Sequence, residues 1–253
     1  MAGEELYLDR TRAEIFGAIA EQYDRFRPTY PPSLIEDFAA LRPSDVLDVG
    51  CGTGKVAADL ARLGCSVLGV EPDPQMASVA RSHGVEVEVS SFEDWDDAGR
   101  QFDLITFGTS WHWVDPARGV PKVAKVLRPG GTLARFWTYI ELEADVLAAL
   151  SAVYREHAPD AHAHGSAPDG SDFVDAVAES TAFSAVEVKT YSWDQVFSTD
   201  EWLGLVETYS DHQRLEPSQR AVLLDTLRTT IDGLGGSLDA RGGVLLLLAQ
   251  RVS

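Results

Sequence analysis

Val46-Leu47-Asp48-Val49-Gly50-Cys51-Gly52-Thr53-Gly54 decides how the rest of the chain is read. An apolar run broken by one acid ends in glycines at alternate positions, and a helical pattern follows at once. That order reads as a buried strand, a tight glycine turn and a helix N-terminus, the plan of a nucleotide-type cofactor loop. The spacing is Gly-x-Gly-x-Gly with an acid two residues before it, not the Gly-x-Gly-x-x-Gly of dinucleotide binders. A loop with no pyrophosphate to cradle needs only close backbone approach and a nearby carboxylate. A cofactor carrying an ammonium group suits that arrangement.

Outward from this loop, strand and helix signals alternate. Val56, Leu60 and Leu63 predict one face of a helix that ends at Gly64, and Ser66 to Val70 predicts the next strand. Glu71 closes that strand nineteen residues after Gly52, and the strand–helix–strand layout brings it to the sheet edge that holds the glycine loop. A carboxylate there accepts two hydrogen bonds from a ribose diol. Asp73-Pro74 supplies the cap and first residue of the following helix, which leaves Glu71 without a capping task. Met76, one turn into that helix, is placed to pack on an adenine or to fill the core. Val85 to Val89 alternates with period two, as for a strand nearer the edge, and Phe102 to Phe107 reads as a fourth strand. Val120, Val123, Ala124 and Leu127 predict a helix that starts late or kinks at Gly119 and Pro121, and Thr132 to Tyr139 predicts a fifth strand. Five alternations predict an α/β class and a doubly wound, parallel sheet.

Four stretches carry a family resemblance. The opening loop resembles the first motif of class I S-adenosylmethionine-dependent methyltransferases. Phe102-Asp103-Leu104-Ile105-Thr106-Phe107-Gly108-Thr109-Ser110-Trp111-His112-Trp113 resembles the fourth motif and the His-Trp pair common in the small-molecule branch. Leu127-Arg128-Pro129-Gly130-Gly131 resembles a third, and Tyr23-x-x-x-Arg27-Pro28-x-Tyr30-Pro31 a segment that folds over the methionine end of the cofactor. The resemblance covers roughly residues 20 to 140. It implies a mostly parallel seven-stranded sheet closed by an antiparallel strand pair, S-adenosyl-L-methionine as cofactor and a small-molecule methyl acceptor. It also implies that Arg27 meets the cofactor carboxylate, that Tyr23 and Tyr30 line the methyl site, and that Phe92 and Glu93 stand at the adenine. Asp48 then fits the cofactor ammonium, Gly50 and Gly52 admit it, and the helix after Gly54 faces its carboxylate. Pro72 and Thr109, next to the ends of the second and fourth strands, complete the expected cofactor set. His112, beside the methyl site, is the candidate general base; the competing reading is a histidine packed between Trp111 and Trp113.

Composition narrows the partners. A net charge of −19 over 253 residues disfavours nucleic acid and anionic membranes, because no cluster of Lys and Arg answers a phosphate. Two cysteines, Cys51 and Cys65, make neither a disulfide framework nor a metal cluster. The N-terminus lacks signal-peptide features, and the longest apolar run, Val244 to Ala249, is too short for a membrane span, so a cytoplasmic monomer or homodimer is expected.

The C-terminal half departs from the alternating pattern. A helix is predicted from Glu141 to His157, a loop through His162 and His164, a strand from Phe183 to Phe197, helices capped by Thr199 and opened by Pro217, and a last strand from Gly242 to Val252. Three histidines with no acidic or cysteine partner at a ligand spacing are read as loop residues, with no metal site expected. The expected organisation is a single domain. It has an N-terminal helical cap (1–42), a cofactor core (43–140), helical insertions forming a lid (141–182 and 198–236) and two last strands (183–197 and 237–253). Aromatics available to the lid (Trp111, Trp113, Trp137, Tyr139, Trp202 and Tyr209), some of them needed in the core, suggest an apolar or aromatic acceptor pocket. Two rival readings are a methyltransferase-like binding protein without turnover and a nicotinamide-dependent oxidoreductase.

Overall fold

The computed structural model describes residues 7, 16–167 and 176–252. Parts of the expected N-terminal cap (1–6 and 8–15) and lid (168–175), and residue 253, lie outside these residues. The elements run α1 (Ala20–Phe26), α2 (Pro32–Ala40), β1 (Asp45–Val49), α3 (Lys55–Arg62), β2 (Ser66–Glu71), α4 (Pro74–Ser82), β3 (Glu86–Val89) and β4 (Phe102–Gly108). They continue with α5 (Pro116–Val126), β5 (Leu127–Leu142), α6 (Ala144–His157), β6 (Glu187–Ser198), α7 (Thr199–Val206), α8 (Ser210–Gln213), α9 (Pro217–Gly233) and β7 (Ser237–Gln250). Seven strands form one sheet in the order β3-β2-β1-β4-β5-β7-β6. β1 to β5 pair in parallel, and β7 runs antiparallel between β5 and β6. The mostly parallel α/β sheet expected from the sequence is present.

Period-two alternation along β1 divides the work of that strand. Leu47 and Val49 point into a core shared with α5, Ile105 and Phe107. Val46 points to the opposite face, with Leu34 and Phe38 of α2 and Val56 and Leu60 of α3. With both faces covered, four of the five β1 residues are buried. β1 has β2 on one side and β4 on the other, so the chain leaves it in opposite directions and opens a crevice at the strands' C-terminal ends. Arg128 fastens the opposite end of this region, donating to Asp45 at 2.7 Å and to Asp103 at 2.6 Å.

β5, β7 and β6 continue past the parallel strands, and their extensions carry a second core. Ile140, Phe197 and Leu238 pack there against Leu150 of α6, Trp202 of α7 and Leu227 of α9. This helical layer beside the crevice is where a lid was expected.

Several boundaries differ from the sequence reading. α5 begins at Pro116, capped by Asp115, and keeps Pro121 inside it; the proline removes one ladder bond without delaying the start. Ser198 caps α7 rather than Thr199, because Glu201 stands three residues on and closes a capping box with it. Leu63 is exposed; Ala57 and Ala58 fill the buried face of α3 with Val56 and Leu60. β5 and β7 are longer than expected, and Phe183 makes only an isolated bridge to Arg251 before β6 begins at Glu187. No described helix is long and apolar enough to cross a membrane.

Candidate functional site

The crevice above β1 and β4 holds about 540 Å³ of empty space, including its mouth. Seven of the residues singled out from the sequence line it: Tyr23, Arg27, Tyr30, Asp48, Gly50, Gly52 and Thr109. The loop that makes its floor must turn tightly. Gly50 has φ +62°, and a Cβ there would stand 2.6 Å from Ser110 Cβ. Ser110 cannot retreat easily, because its Oγ donates to Val49 O at 2.6 Å.

Two buried carboxylates flank the turn. Asp48, 3% exposed, accepts from Thr106 Oγ1 at 2.7 Å and from the backbone of Ala57. Burial raises its pKa from 3.8 to about 7 against those two bonds. Glu71, 6% exposed, accepts from Gly52 N at 2.9 Å and from Asp73 N at 3.0 Å, so the end of β2 is tied to the glycine loop. Burial, with smaller contributions from the charges of Asp73 and Asp48, lifts Glu71 from 4.5 to about 7. Among the described residues neither carboxylate has a salt-bridge partner.

The strap from α1 to α2 forms the crevice wall. Lys55 Nζ donates to Asp24 O at 2.6 Å and pins the strap to the N-terminus of α3. Arg27 donates from Nη2 to Thr208 O at 3.0 Å, and its guanidinium lies 4.1 Å from the Tyr209 ring centroid. Arg27 Nε and Thr53 Oγ1 are buried with no hydrogen-bond partner among the described residues. Polar atoms buried this way cost free energy unless a partner arrives. Tyr30 packs edge-on to Phe136 at 5.0 Å, and burial holds its hydroxyl well above the ordinary phenol range.

The remaining expected residues stand elsewhere. Gly54 begins α3 with φ +82°, behind the loop. Pro72 follows Glu71 and is exposed, and Met76 is buried with its Cε near Gly52. Phe92 is not on the crevice wall: it packs in the core, edge-on to Phe107 at 5.5 Å. Glu93 accepts from Asp115 N at 3.0 Å and fixes the turn before α5. His112 lies in the Trp111–Trp113 turn, where its Nδ1 accepts from Trp137 Nε1 at 3.2 Å. An indole N–H only donates, so Nδ1 is the bare nitrogen and the neutral ring carries its proton on Nε2. The aromatics do not form an acceptor wall along the crevice either; Trp202 is fully buried in the second core and Trp111 packs on Phe107.

Sequence reasoning passed over Thr53, Lys55, Gly108 and Thr138, all on the crevice wall. Thr53 and Lys55 follow directly from the glycine loop and could have been read with it. Thr138 gave no signal beyond its place in a strand. The loop histidine His164 also acquires partners, Asp211 and His212, from a distant part of the chain.

Comparison with known proteins agrees with this geometry. Residues 46–131 match the model of the methyltransferase domain family. Over 124 residues the chain is 39% identical to an uncharacterized methyltransferase of Mycobacterium tuberculosis, covering 48% of this chain and 51% of that one. Over 146 residues it is 28% identical to a probable S-adenosylmethionine-dependent methyltransferase of Saccharomyces cerevisiae, covering 53% and 50%. A solved structure of a proposed type II methyltransferase from Anaeromyxobacter dehalogenans superposes with a TM-score of 0.64 at 22% identity, over 90% of this chain and 99% of that one. The chain spans about half the length of the curated relatives it matches. The chain shares its fold with that solved structure, and its match to the methyltransferase domain family covers about a third of its length, residues 46–131.

Proposed function

We propose that this chain binds S-adenosyl-L-methionine in the β1–β4 crevice and transfers its methyl group to a small-molecule acceptor with an O, N or C nucleophile. The observation that carries the reading is the pair of buried carboxylates on a glycine turn. Asp48 and Glu71 are held at about 7 by burial, with no salt-bridge partner among the described residues. Such groups lower stability unless a ligand matches them. An ammonium at Asp48 and a ribose diol at Glu71 do so. The yeast relative's name includes S-adenosylmethionine dependence, which agrees with this ligand.

The side chains divide the binding. Gly50 and Gly52 let the ligand approach the backbone, and Asp48 faces its ammonium. Arg27, with Nε unpaired, and the amides opening α3 receive its carboxylate. Met76 is near enough to Gly52 to pack on the adenine end. When bound, the cofactor supplies a methyl group on a sulfonium, which the acceptor displaces in line as the sulfur leaves as a neutral thioether. Tyr30, Thr109 and Thr138 line the crevice, and we assign them to holding the acceptor and excluding water. His112 stands three residues after Thr109, and we assign it to the acceptor side of the site. A proton lost by the acceptor passes to solvent. The net charge of −19 makes a nucleic-acid acceptor unfavourable.

Turnover separates this reading from a non-catalytic binder. Incubation with methyl-labelled cofactor and a panel of phenol, amine and activated-carbon acceptors is expected to give labelled product and S-adenosylhomocysteine in equal amounts. Cofactor binding with no transfer across the panel would favour the binder.

A further inference from the structure

Away from the crevice floor, two segments meet at one carboxylate. His162 and His164 lie in the stretch after α6, and Asp211 and His212 lie in α8. Three imidazole nitrogens converge on Asp211. His164 Nε2 is 3.3 Å and His162 Nδ1 3.7 Å from Oδ2, and His212 Nδ1 is 2.9 Å from Oδ1. The ligand atoms of His164, Asp211 and His212 all lie within 4.8 Å of one another. Among the described residues this is the one group of three or more such side chains placed to hold a metal.

We propose that His164, Asp211 and His212 form a mononuclear site for a divalent transition metal of the zinc class, with the exposed His162, 3.7 Å from Asp211, closing on the ion as a fourth ligand. Donor spacing is the first reason. Bonds of about 2.1 Å to a tetrahedral ion place its ligand atoms about 3.4 Å apart; His164 Nε2 stands 3.3 Å from Asp211 Oδ2 and His212 Nδ1 2.9 Å from Oδ1, and the ligand atoms of the three residues lie within 4.8 Å of one another, close enough to gather on one ion. Donor chemistry is the second. Three imidazoles and one carboxylate suit zinc, cobalt or nickel, whereas magnesium and calcium take oxygen. The third reason lies behind the ligands. Tyr154 Oη is 2.8 Å from His212 Nε2. With a metal on Nδ1 in place of the proton now shared with Asp211 Oδ1, the neutral ring would carry its hydrogen on Nε2 and donate it to Tyr154 Oη, as a metal-bound histidine does to its supporting partner. His212 and Tyr154 are buried, while His162 is 78% exposed on its side chain and leaves an entry path.

The site has a place in the architecture. His164 stacks on Tyr209 at 3.7 Å with 14° between the rings, and Tyr209 in turn carries the Arg27 guanidinium. A metal bound here ties the stretch after α6 to α8 beneath the ring on which Arg27 rests. It therefore stiffens the wall of the crevice without entering it.

The test uses the full chain, stripped with a chelator and titrated with cobalt(II) or zinc. Cobalt is expected to give the intense visible bands of a tetrahedral N/O site at one ion per chain. Zinc is expected to stay bound through gel filtration and to raise the melting temperature, and chelator is expected to reverse both effects. His162→Ala, at an exposed position that leaves the fold intact, is expected to weaken cobalt binding at least tenfold. His164→Ala is expected to abolish it, and His83→Ala to leave it unchanged. S-adenosylhomocysteine binding to the stripped protein is a separate readout, so failure of the metal site and failure of the proposed function are told apart. Absence of visible bands, with the same melting temperature with and without zinc, would overturn the proposal and leave a hydrogen-bonded clasp. Equal cobalt binding by the wild type and both ligand variants would do so too, as binding by adventitious surface groups only.

Discussion

In the Asp48→Asn variant an amide can replace the carboxylate without leaving a buried group unpaired. Its Oδ1 takes the Ala57 N–H, and its Nδ2 donates to Thr106 Oγ1, whose own hydrogen turns to Leu47 O at 3.4 Å. What the variant removes is a buried charge. The folded-state pKa of about 7 lies above the ordinary 3.8, so as pH rises the unfolded chain ionises first. Stability is therefore lost between about pH 4 and pH 7, at about 1.4 kcal/mol per pH unit, and the loss is complete above pH 7. Over that window the cost is about 4 kcal/mol, or about 2 kcal/mol if relaxation and water penetration halve it. Urea unfolding without cofactor should then find the variant equal to the wild type near pH 4.5 and about 2–4 kcal/mol more stable at pH 8. The same variant should bind S-adenosylhomocysteine at least tenfold more weakly, since the ammonium loses its counter-charge. A variant that is no more stable at pH 8 than at pH 4.5, relative to wild type, would refute the stability argument. Undiminished binding would refute the assignment of the carboxylate.

Three other outcomes follow from the same geometry. Near pH 6 Asp48 and Glu71 are largely protonated in the free protein, so cofactor binding should release protons, and the effect should fade above about pH 8. Calorimetry in two buffers of different ionisation enthalpy reads this, and equal heats in both at pH 6 would count against it. Gly50→Ala places a Cβ 2.6 Å from Ser110 Cβ at φ +62°, so it should cost about 1–3 kcal/mol and remove cofactor binding; an unchanged melting temperature and affinity would show that the loop yields. If His112 acts through Nε2–H, His112→Gln, which can donate from a similar place, should keep part of the turnover that His112→Ala loses, with cofactor affinity intact in both. Equal inactivity of the two variants would restore the general-base role.

The parts of the molecule legible in the sequence are those set by local pattern. The strand–glycine–helix stretch at residues 45–62 fixes its own geometry, because the turn, the apolar run and the cap are contiguous. Glu71 could be placed because one crossover connects it to that loop. The sequence says less where a residue's surroundings depend on partners far along the chain. The partner of His112 Nδ1, Trp137 on β5, is 25 residues away and gives no signal in the sequence around the histidine. Phe92 carries a position in a motif, yet Phe107 and Trp95 draw its ring into the core. His164 had no visible acidic partner, since Asp211 is 47 residues away and arrives through the packing of the helical layer. The cap of α7 was misplaced by one residue because Ser198 and Thr199 are both capping types, and the choice between them rests on Glu201.

Calorimetric titration of S-adenosylhomocysteine into the wild type and Glu71→Ala, both shown to be folded, tests the central claim most directly. Glu71 receives Gly52 N and Asp73 N from the loop and the cap that frame the proposed ribose site. The account predicts one-to-one binding at micromolar affinity by the wild type, weakened about tenfold or more in the variant, or about 1.4 kcal/mol at least. A folded wild type that gives no binding heat at any temperature tried, with either S-adenosylhomocysteine or S-adenosyl-L-methionine, would contradict it.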